Sequence, residues 1–450
     1  MVSPGLSQVK RFAAAAPFAA AGAVFLLQAA LLISCATTNP FVSVDGMVER
    51  EEFSLGAKTL EERRGDLYRK KDRVLYCLDR GLLCHYAGDY RASSALLEEG
   101  EKAMEENFAV SVSQEAGVLL LNDRSREYDG EDYEDIYLNA FNALNYYHRN
   151  NMEDALVEIR RMNNKLRDLS VKYGVLMTNM QKLALEKNQK IPPNPEAPVK
   201  FNNSALARYL GMLFYRGAGL DSDARIDQRQ LLIAMADAPS VYPHPPPSSL
   251  AEELSIPPGM ARLNVIGFAG RSPAKQEEVT RVPLGRTWAK IALPSMVSRP
   301  SRVVSIEVAL DSGERFNLEP LENISAVVSA TFTQKKNIIY TRSVLRALTK
   351  GIAAAVFDAM SETSQENAGL YGLLSVGAQI FAEASERADL RMGRYFPGKA
   401  YVGGINLPPG IYSFTVTFYG AGGGVLMARR HENARIGAGV LNLTEDICLK

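Results

Sequence analysis

Apolar side chains in the first half of the chain recur every three to four residues, and one design appears three times. Leu75, Leu78, Leu82 and Tyr86 form a stripe, Gly88-Asp89 turns the chain, and Ala92, Leu96, Gly100 and Ala103 form the next stripe. Ile136, Ala140, Leu144 and Tyr147 lead through Asn150-Asn151 to Ala155, Leu156, Ile159, Met162 and Leu166. Leu206, Tyr209, Leu210, Leu213 and Phe214 lead through Gly217-Ala218-Gly219 to Ala224, Leu231 and Met235. Residues three and four apart share a helix face, and Gly and Asn tolerate the backbone of a tight turn, so the spacing predicts three pairs of amphipathic helices. From Ala261 the period shortens to two. Leu263–Phe268, Val303–Leu310 and Ile411–Phe418 read as strands, with Pro408-Pro409-Gly410 a turn and Gly420–Gly424 a hairpin connection. A helical interval from about 341 to 390 interrupts the strands, carrying the apolar runs 351–357 and 368–378.

This order predicts an α+β protein. Residues 1–34 read as a leader, 35–60 as a tether, 61–237 as a helical domain, 238–259 as a Pro-rich linker and 260–450 as a β-rich domain with the helical insertion near 341–390. The helix pairs resemble tetratricopeptide repeats, but they start about 60 to 70 residues apart instead of 34 and lack the full signature. An irregular helical bundle is the other reading. Stacked pairs present a concave groove that commonly binds peptides or protein surfaces. The linker, from Tyr242-Pro243-His244-Pro245 to Pro258-Gly259, reads as a stiff spacer or as a polyproline ligand. Four prolines mark 188–198 as a loop. Neither apolar run of the insertion reaches the ~20 residues needed to span a bilayer, which leaves a buried hairpin or a surface contact with lipid.

At the N-terminus, Lys10 and Arg11 precede an apolar run from Phe12 to Ile33 that ends in Leu32-Ile33-Ser34-Cys35. This ending resembles the lipobox of bacterial lipoproteins, in which a thiol accepts diacylglycerol and small or aliphatic neighbours admit the signal peptidase. Cys35 is therefore the expected lipidation site, and each buried CH₂ of its acyl chains adds about 0.8 kcal/mol to membrane attachment. A transmembrane helix and a plain secretory leader are the competing readings. The expected setting is the cell envelope, at the outer membrane or the periplasmic face of a membrane.

Lys+Arg and Asp+Glu both number 51, which gives no electrostatic reason to expect a nucleic-acid partner. The 450 residues, 46% hydrophobic and 23% charged, suit two or three globular domains. Cys77 and Cys84 are seven apart on a predicted helix, about 10 Å along its axis, too far for a disulfide, and read as core residues. Cys448 is left as a free thiol. His85, His148, His244 and His431 are scattered, with no HExxH, Walker A, GxSxG or GxGxxG pattern. Two charged stretches invite chemistry. Glu127–Asp135 holds six carboxylates around Gly130, yet it breaks the calcium-loop spacing and suits the first turn of a helix. Arg387, Asp389 and Arg391 read as charges at a helix end. No catalytic residue, cofactor or metal ligand is assigned, and the expected protein is not an enzyme.

Several short phrases carry a family resemblance. They are Gly88-Asp89-Tyr90 after His85-Tyr86-Ala87, then Leu119–Asp123, Gly130–Glu134, Ala143–Tyr146, Ile291–Pro294, Ala388–Arg391 and Leu407–Gly410. Their order resembles an uncharacterised bacterial lipoprotein family with a tetratricopeptide-like N-terminal half and a β-rich C-terminal half. Met392-Gly393-Arg394-Tyr395-Phe396 departs from that pattern, which has a Trp soon after the Ala-Asp-Leu-Arg run. The resemblance implies an envelope lipoprotein of unassigned activity, found in settings like those of lipoproteins that assist cell-wall synthases. The expectation is a membrane-anchored adaptor or scaffold with an envelope protein partner in its helical groove. An envelope enzyme or glycan-binding protein with an unrecognised site, and a purely structural surface lipoprotein, are the alternatives.

Overall fold

The computed structural model describes residues 39–113, 123–169, 171–172, 174–186, 201, 203–284, 287–363 and 387–450. Cys35, the leader, the apolar run 368–378 and the loop 188–198 lie outside them. The helices are α1 (Val42–Glu49), α2 (Phe53–Glu62), α3 (Arg64–Leu67), α4 (Arg73–Tyr86), α5 (Tyr90–Ser113), α6 (Asp132–His148), α7 (Met152–Asp168), α8 (Gly174–Glu186), α9 (Ala205–Gly217), α10 (Asp221–Asp237) and α11 (Ile324–Thr363). The strands are β1 (Ala261–Arg271), β2 (Ala274–Leu284), β3 (Thr287–Val297), β4 (Ser305–Leu310), β5 (Arg315–Asn317), β6 (Glu319–Glu322), β7 (Pro397–Leu407), β8 (Gly410–Tyr419), β9 (Val425–Ile436) and β10 (Asn442–Cys448). The α+β class follows directly.

The three expected helix pairs are α4/α5, α6/α7 and α9/α10. Their turns form for the anticipated reasons. Gly88 sits at φ +81°, a backbone region costly for other residues, and Asp89 then caps α5 by accepting from Ala92 N at 3.1 Å. Asn150 takes φ +57° and Asn151 caps α7 by accepting from Asp154 N at 3.2 Å. Within the first pair, a Cβ on Gly81 would lie 2.9 Å from Leu97 Cδ2, so a small residue sets the approach of α4 to α5. Pairs pack in chain order, α5 on α6 and α7 on α9.

Sheet one has the order β10-β1-β7-β6, with β1 parallel to β10 and antiparallel to β7. Sheet two has the order β5-β4-β8-β9. Their facing sides form one core, with Leu263, Val265, Ala269 and Leu407 against Ile306, Val308, Phe414, Val416 and Phe418. β1 is buried on both faces. Its odd-numbered residues enter the core between the sheets, and its even-numbered ones meet the helices. Phe268 packs on Phe141 of α6 at 5.3 Å, and Asn264 accepts from Arg216 of α9 at 2.6 Å. The order of layers is therefore helices, sheet one, sheet two. Within Val44–Lys450 this is one compact unit, Met1–Ser43 forming another.

Three regions differ from the sequence reading. The Pro-rich stretch 238–259 does not hang free as a spacer. Val241, Tyr242, Leu250 and Glu253 are buried, and Glu253 pairs with Arg216 at 2.6 Å and Arg262 at 3.0 Å. Proline removes regular hydrogen bonding without removing side-chain contacts. The inserted helix begins at Ile324, before the expected 341, and residues 387–390 are not helical. α11 lies on β3, β7, α6 and α8. The charged hairpin β2–β3 is absent from the sequence reading, because its alternation is polar along much of one strand. No helix among the described residues is long and apolar enough to cross a membrane.

Candidate functional site: an ion-lined cleft and an open helical groove

The acidic phrase Glu127–Asp135 becomes a loop and the first turn of α6. Glu131 is the N-cap and forms a reciprocal capping box with Glu134, whose Oε2 accepts from Glu131 N at 2.9 Å. Glu134 is fully buried and also accepts from Gly393 N at 2.6 Å and Tyr128 Oη at 2.8 Å. The departing stretch 392–396 is thus tied to the helix start. Lysines engage three carboxylates of this stretch: Lys172 takes Asp132 at 2.8 Å, Lys165 takes Asp135 at 2.6 Å, and Lys275 takes Glu131 at 2.6 Å. A calcium ion would have to displace these ammonium groups. Among the described residues no group of three or more His, Cys, Asp or Glu is placed to hold a metal.

Arg387, Asp389 and Arg391 come to the same place. Together with the loop before α6, the β2–β3 hairpin and α11, they line a cleft enclosing ≈ 50 Å³. Arg391 clamps Asp389 at 2.8 Å, reaches Asp72 at 3.0 Å, and donates to the carbonyl of Asp123 at 2.9 Å. These bonds make it a buried bridge, not the solvated helix end that its sequence suggested. Lys335 of α11 holds Asp129 at 3.1 Å and Glu131 at 3.3 Å. Burial alone would push the Asp129 carboxyl up, but Lys335 beside it brings it down to about 2. Burial and the neighbouring Arg342 push the Arg126 guanidinium below its usual range. Four of the short phrases that carry the family resemblance supply lining residues here, through Asp123, Glu131, Ala292 and Pro294, and Ala388 to Arg391.

The helical half has two different sides. The first helix of each pair turns toward sheet one and the segment before β7. Tyr86 Oη of α4 donates to Tyr395 O at 2.9 Å, Phe141 of α6 meets Phe396, and Tyr209 of α9 meets Asn264. The chain's own residues therefore cover that face. A groove of ≈ 590 Å³ opens instead along α5 and α7, with Glu98, Glu101 and Glu105 on one wall and Asp154, Glu158, Arg161 and Lys165 on the other. Asn139 of α6, wholly buried beneath it, donates to Glu101 at 2.8 Å and Glu158 at 2.7 Å.

Sequence reasoning missed one cluster. His85 Nε2 and His148 Nε2 both reach Glu445 Oε1, at 3.0 and 2.9 Å. His85 Nδ1 lies 2.7 Å from Asn145 Oδ1, whose amide nitrogen donates to Ser93 Oγ at 2.9 Å. Both ring nitrogens of His85 thus face acceptors, which is the pattern of a doubly protonated imidazolium. Next to it, His431 Nε2 meets Asp446 at 2.8 Å. Three histidines scattered along the chain converge on adjacent carboxylates of β10, and nothing local to any of them signals it. Cys77, Cys84 and Cys448 are buried free thiols, with burial pushing Cys77 up to about 12 and Cys84 up to about 11.

Searches of the chain against protein-family models, curated proteins and solved structures return no match.

Proposed function

We propose that this chain is an adaptor lipoprotein of the bacterial cell envelope, held at a membrane by lipid on Cys35 and binding a segment of an envelope protein in the α5–α7 groove. The observation that carries the reading is that groove. It is a solvent-open channel on the helical half, its floor is buried and polar, and its walls are ionised helix faces, whereas the opposite helix faces are occupied by the chain's own sheet. The lipobox-like Leu32-Ile33-Ser34-Cys35 supports the anchor. A binding role suits the charged side chains, which are committed to one another in ion pairs and not poised beside a nucleophile. The fold class and the family resemblance are compatible with this role and do not name the partner.

The test is photo-crosslinking in the native host from the full-length protein. A photoreactive residue replaces either Val157, exposed on the groove wall, or Val425, exposed at the start of β9. A discrete protein adduct from Val157 that is absent from Val425 is the expected result. Identical adduct patterns from both positions, or none from Val157, would overturn the adaptor reading.

A further inference from the structure

The charges along the α5–α7 groove are not all paired. On α5, Glu101 meets Lys165 at 2.6 Å and Arg161 at 3.0 Å. On α7, Glu158 meets Arg161 at 3.3 Å. Glu98, Glu105 and Asp154 line the same groove and form no ion pair with any described residue. The three cations of the lining do not make up the difference: Lys165 is shared with Asp135 at 2.6 Å, Lys102 lies 3.9 Å from Glu106, and Arg161 is taken by Glu101 and Glu158. Arg149 stacks over the Tyr146 ring at 5.3 Å and pairs with no carboxylate among the described residues. The negative charge gathers around Tyr146, whose hydroxyl donates to Glu98 at 2.6 Å. Burial, and then Glu98, Asp154 and Glu158 around it, push that hydroxyl above its usual range.

The floor gives a second, independent sign. Asn139, Asn142 and Tyr146 lie three and four apart on α6 and so share one face. The outer two reach the groove walls, Asn139 through Glu101 and Glu158 and Tyr146 through Glu98. Asn142 between them is wholly buried and lies beside Glu158 but outside hydrogen-bond geometry, and neither its amide nitrogen nor its oxygen has a partner among the described residues. A buried amide left unmatched is costly, so the floor is short of a polar group that the chain itself does not supply.

We infer that the groove binds an extended, Lys- or Arg-bearing segment of the partner protein, an inference that rests on the adaptor reading and makes it specific. Glu98 and Glu105 are seven residues apart on one helix, about 10 Å, a distance that about three residues of extended chain span. Cationic side chains three residues apart therefore reach both carboxylates. Guanidinium groups suit the walls better than ammonium groups, because each engages a carboxylate through two nitrogens. The same walls repel an acidic segment, so the charge decides which partner is admitted more than how tightly it is held.

The mature chain without lipid is titrated into three fluorescein-labelled peptides of about twelve residues, at about 50 mM salt, and anisotropy is followed. The peptides carry Arg, Gln or Glu at every third position and Ser or Gly elsewhere. The Arg peptide binds saturably, and the Gln and Glu peptides bind at least about tenfold more weakly. Raising the salt to about 300 mM weakens the Arg peptide severalfold. Glu98→Gln combined with Glu105→Gln weakens it about tenfold, since exposed pairs are each worth a factor of about two to five. Both residues are exposed, so the double variant keeps the parent fold. Lys102→Gln, which removes a groove cation, strengthens binding about twofold. Asp66→Asn, on α3 and outside the groove lining, leaves it unchanged. Equal binding of the three peptides, no binding of the Arg peptide, or Arg-peptide binding that the double variant leaves unchanged overturns the inference. Crosslinking decides the adaptor reading separately: a discrete Val157 adduct alongside a failed Arg peptide keeps the adaptor and rejects a basic partner, whereas failure of both rejects both.

Discussion

Replacing Glu445 by Gln tests the histidine cluster most directly. Burial pushes the Glu445 carboxyl up, yet the two imidazoles pull it down from its ordinary 4.5 to about 2. That lowering corresponds to about 3 kcal/mol of stability at neutral pH. A depressed carboxylate contributes fully above its unfolded pKa, so this share is intact above about pH 4.5 and is lost as pH falls toward 2. His85 behaves oppositely. Burial lowers its pKa, but Glu445 and Asn145 raise it by more, so its contribution is full below about pH 6.5 and fades as pH rises through the elevated value. The pair is therefore at its best between about pH 4.5 and 6.5. Glu445→Gln keeps the shape and removes the charge, leaving the buried His85 without its counter-ion, at a cost of about 3–5 kcal/mol near pH 5.5. Urea unfolding of parent and variant at half-unit steps from about pH 3 to 9 gives the difference free of other titrations. That difference should peak in the window and shrink by about 2 kcal/mol at pH 3. A flat difference across the range, or one below about 1 kcal/mol at pH 5.5, would refute the charged-pair assignment.

Other consequences are simpler to measure. Phe141, 2% exposed, touches Phe268 and Phe396 and so joins α6 to sheet one, and Phe141→Ala should cost about 3–5 kcal/mol in chemical denaturation. Gly88→Val forces a β-branched residue to φ +81° and should cost more than about 1 kcal/mol, whereas Gly65→Ala, in α3 with open space around it, should change stability by less than that. Cys35→Ala should move the protein from the membrane to the soluble fraction on ultracentrifugation of cell lysates, and unchanged membrane association would remove the lipid anchor from the proposal.

Legibility in the sequence followed the range of the interactions. The helix pairs were readable because a stripe, a turn and a cap all lie within about thirty residues, where periodicity and turn chemistry act together. The start of α6 was readable for the same reason, since Glu131 and Glu134 satisfy each other's backbone across one turn. β1 was readable as a strand but not as the middle layer. Arg262 and Asn264 look like solvent-facing positions, and only the fold supplies Glu253 from the Pro-rich stretch to meet them at 3.0 and 2.8 Å. Arg391 illustrates the limit: its partners Asp72 and Asp123 are 319 and 268 residues away in sequence, beyond the reach of any local pattern. Buried charges of this kind have little meaning until both partners are in place, because an unpaired one is strongly destabilising.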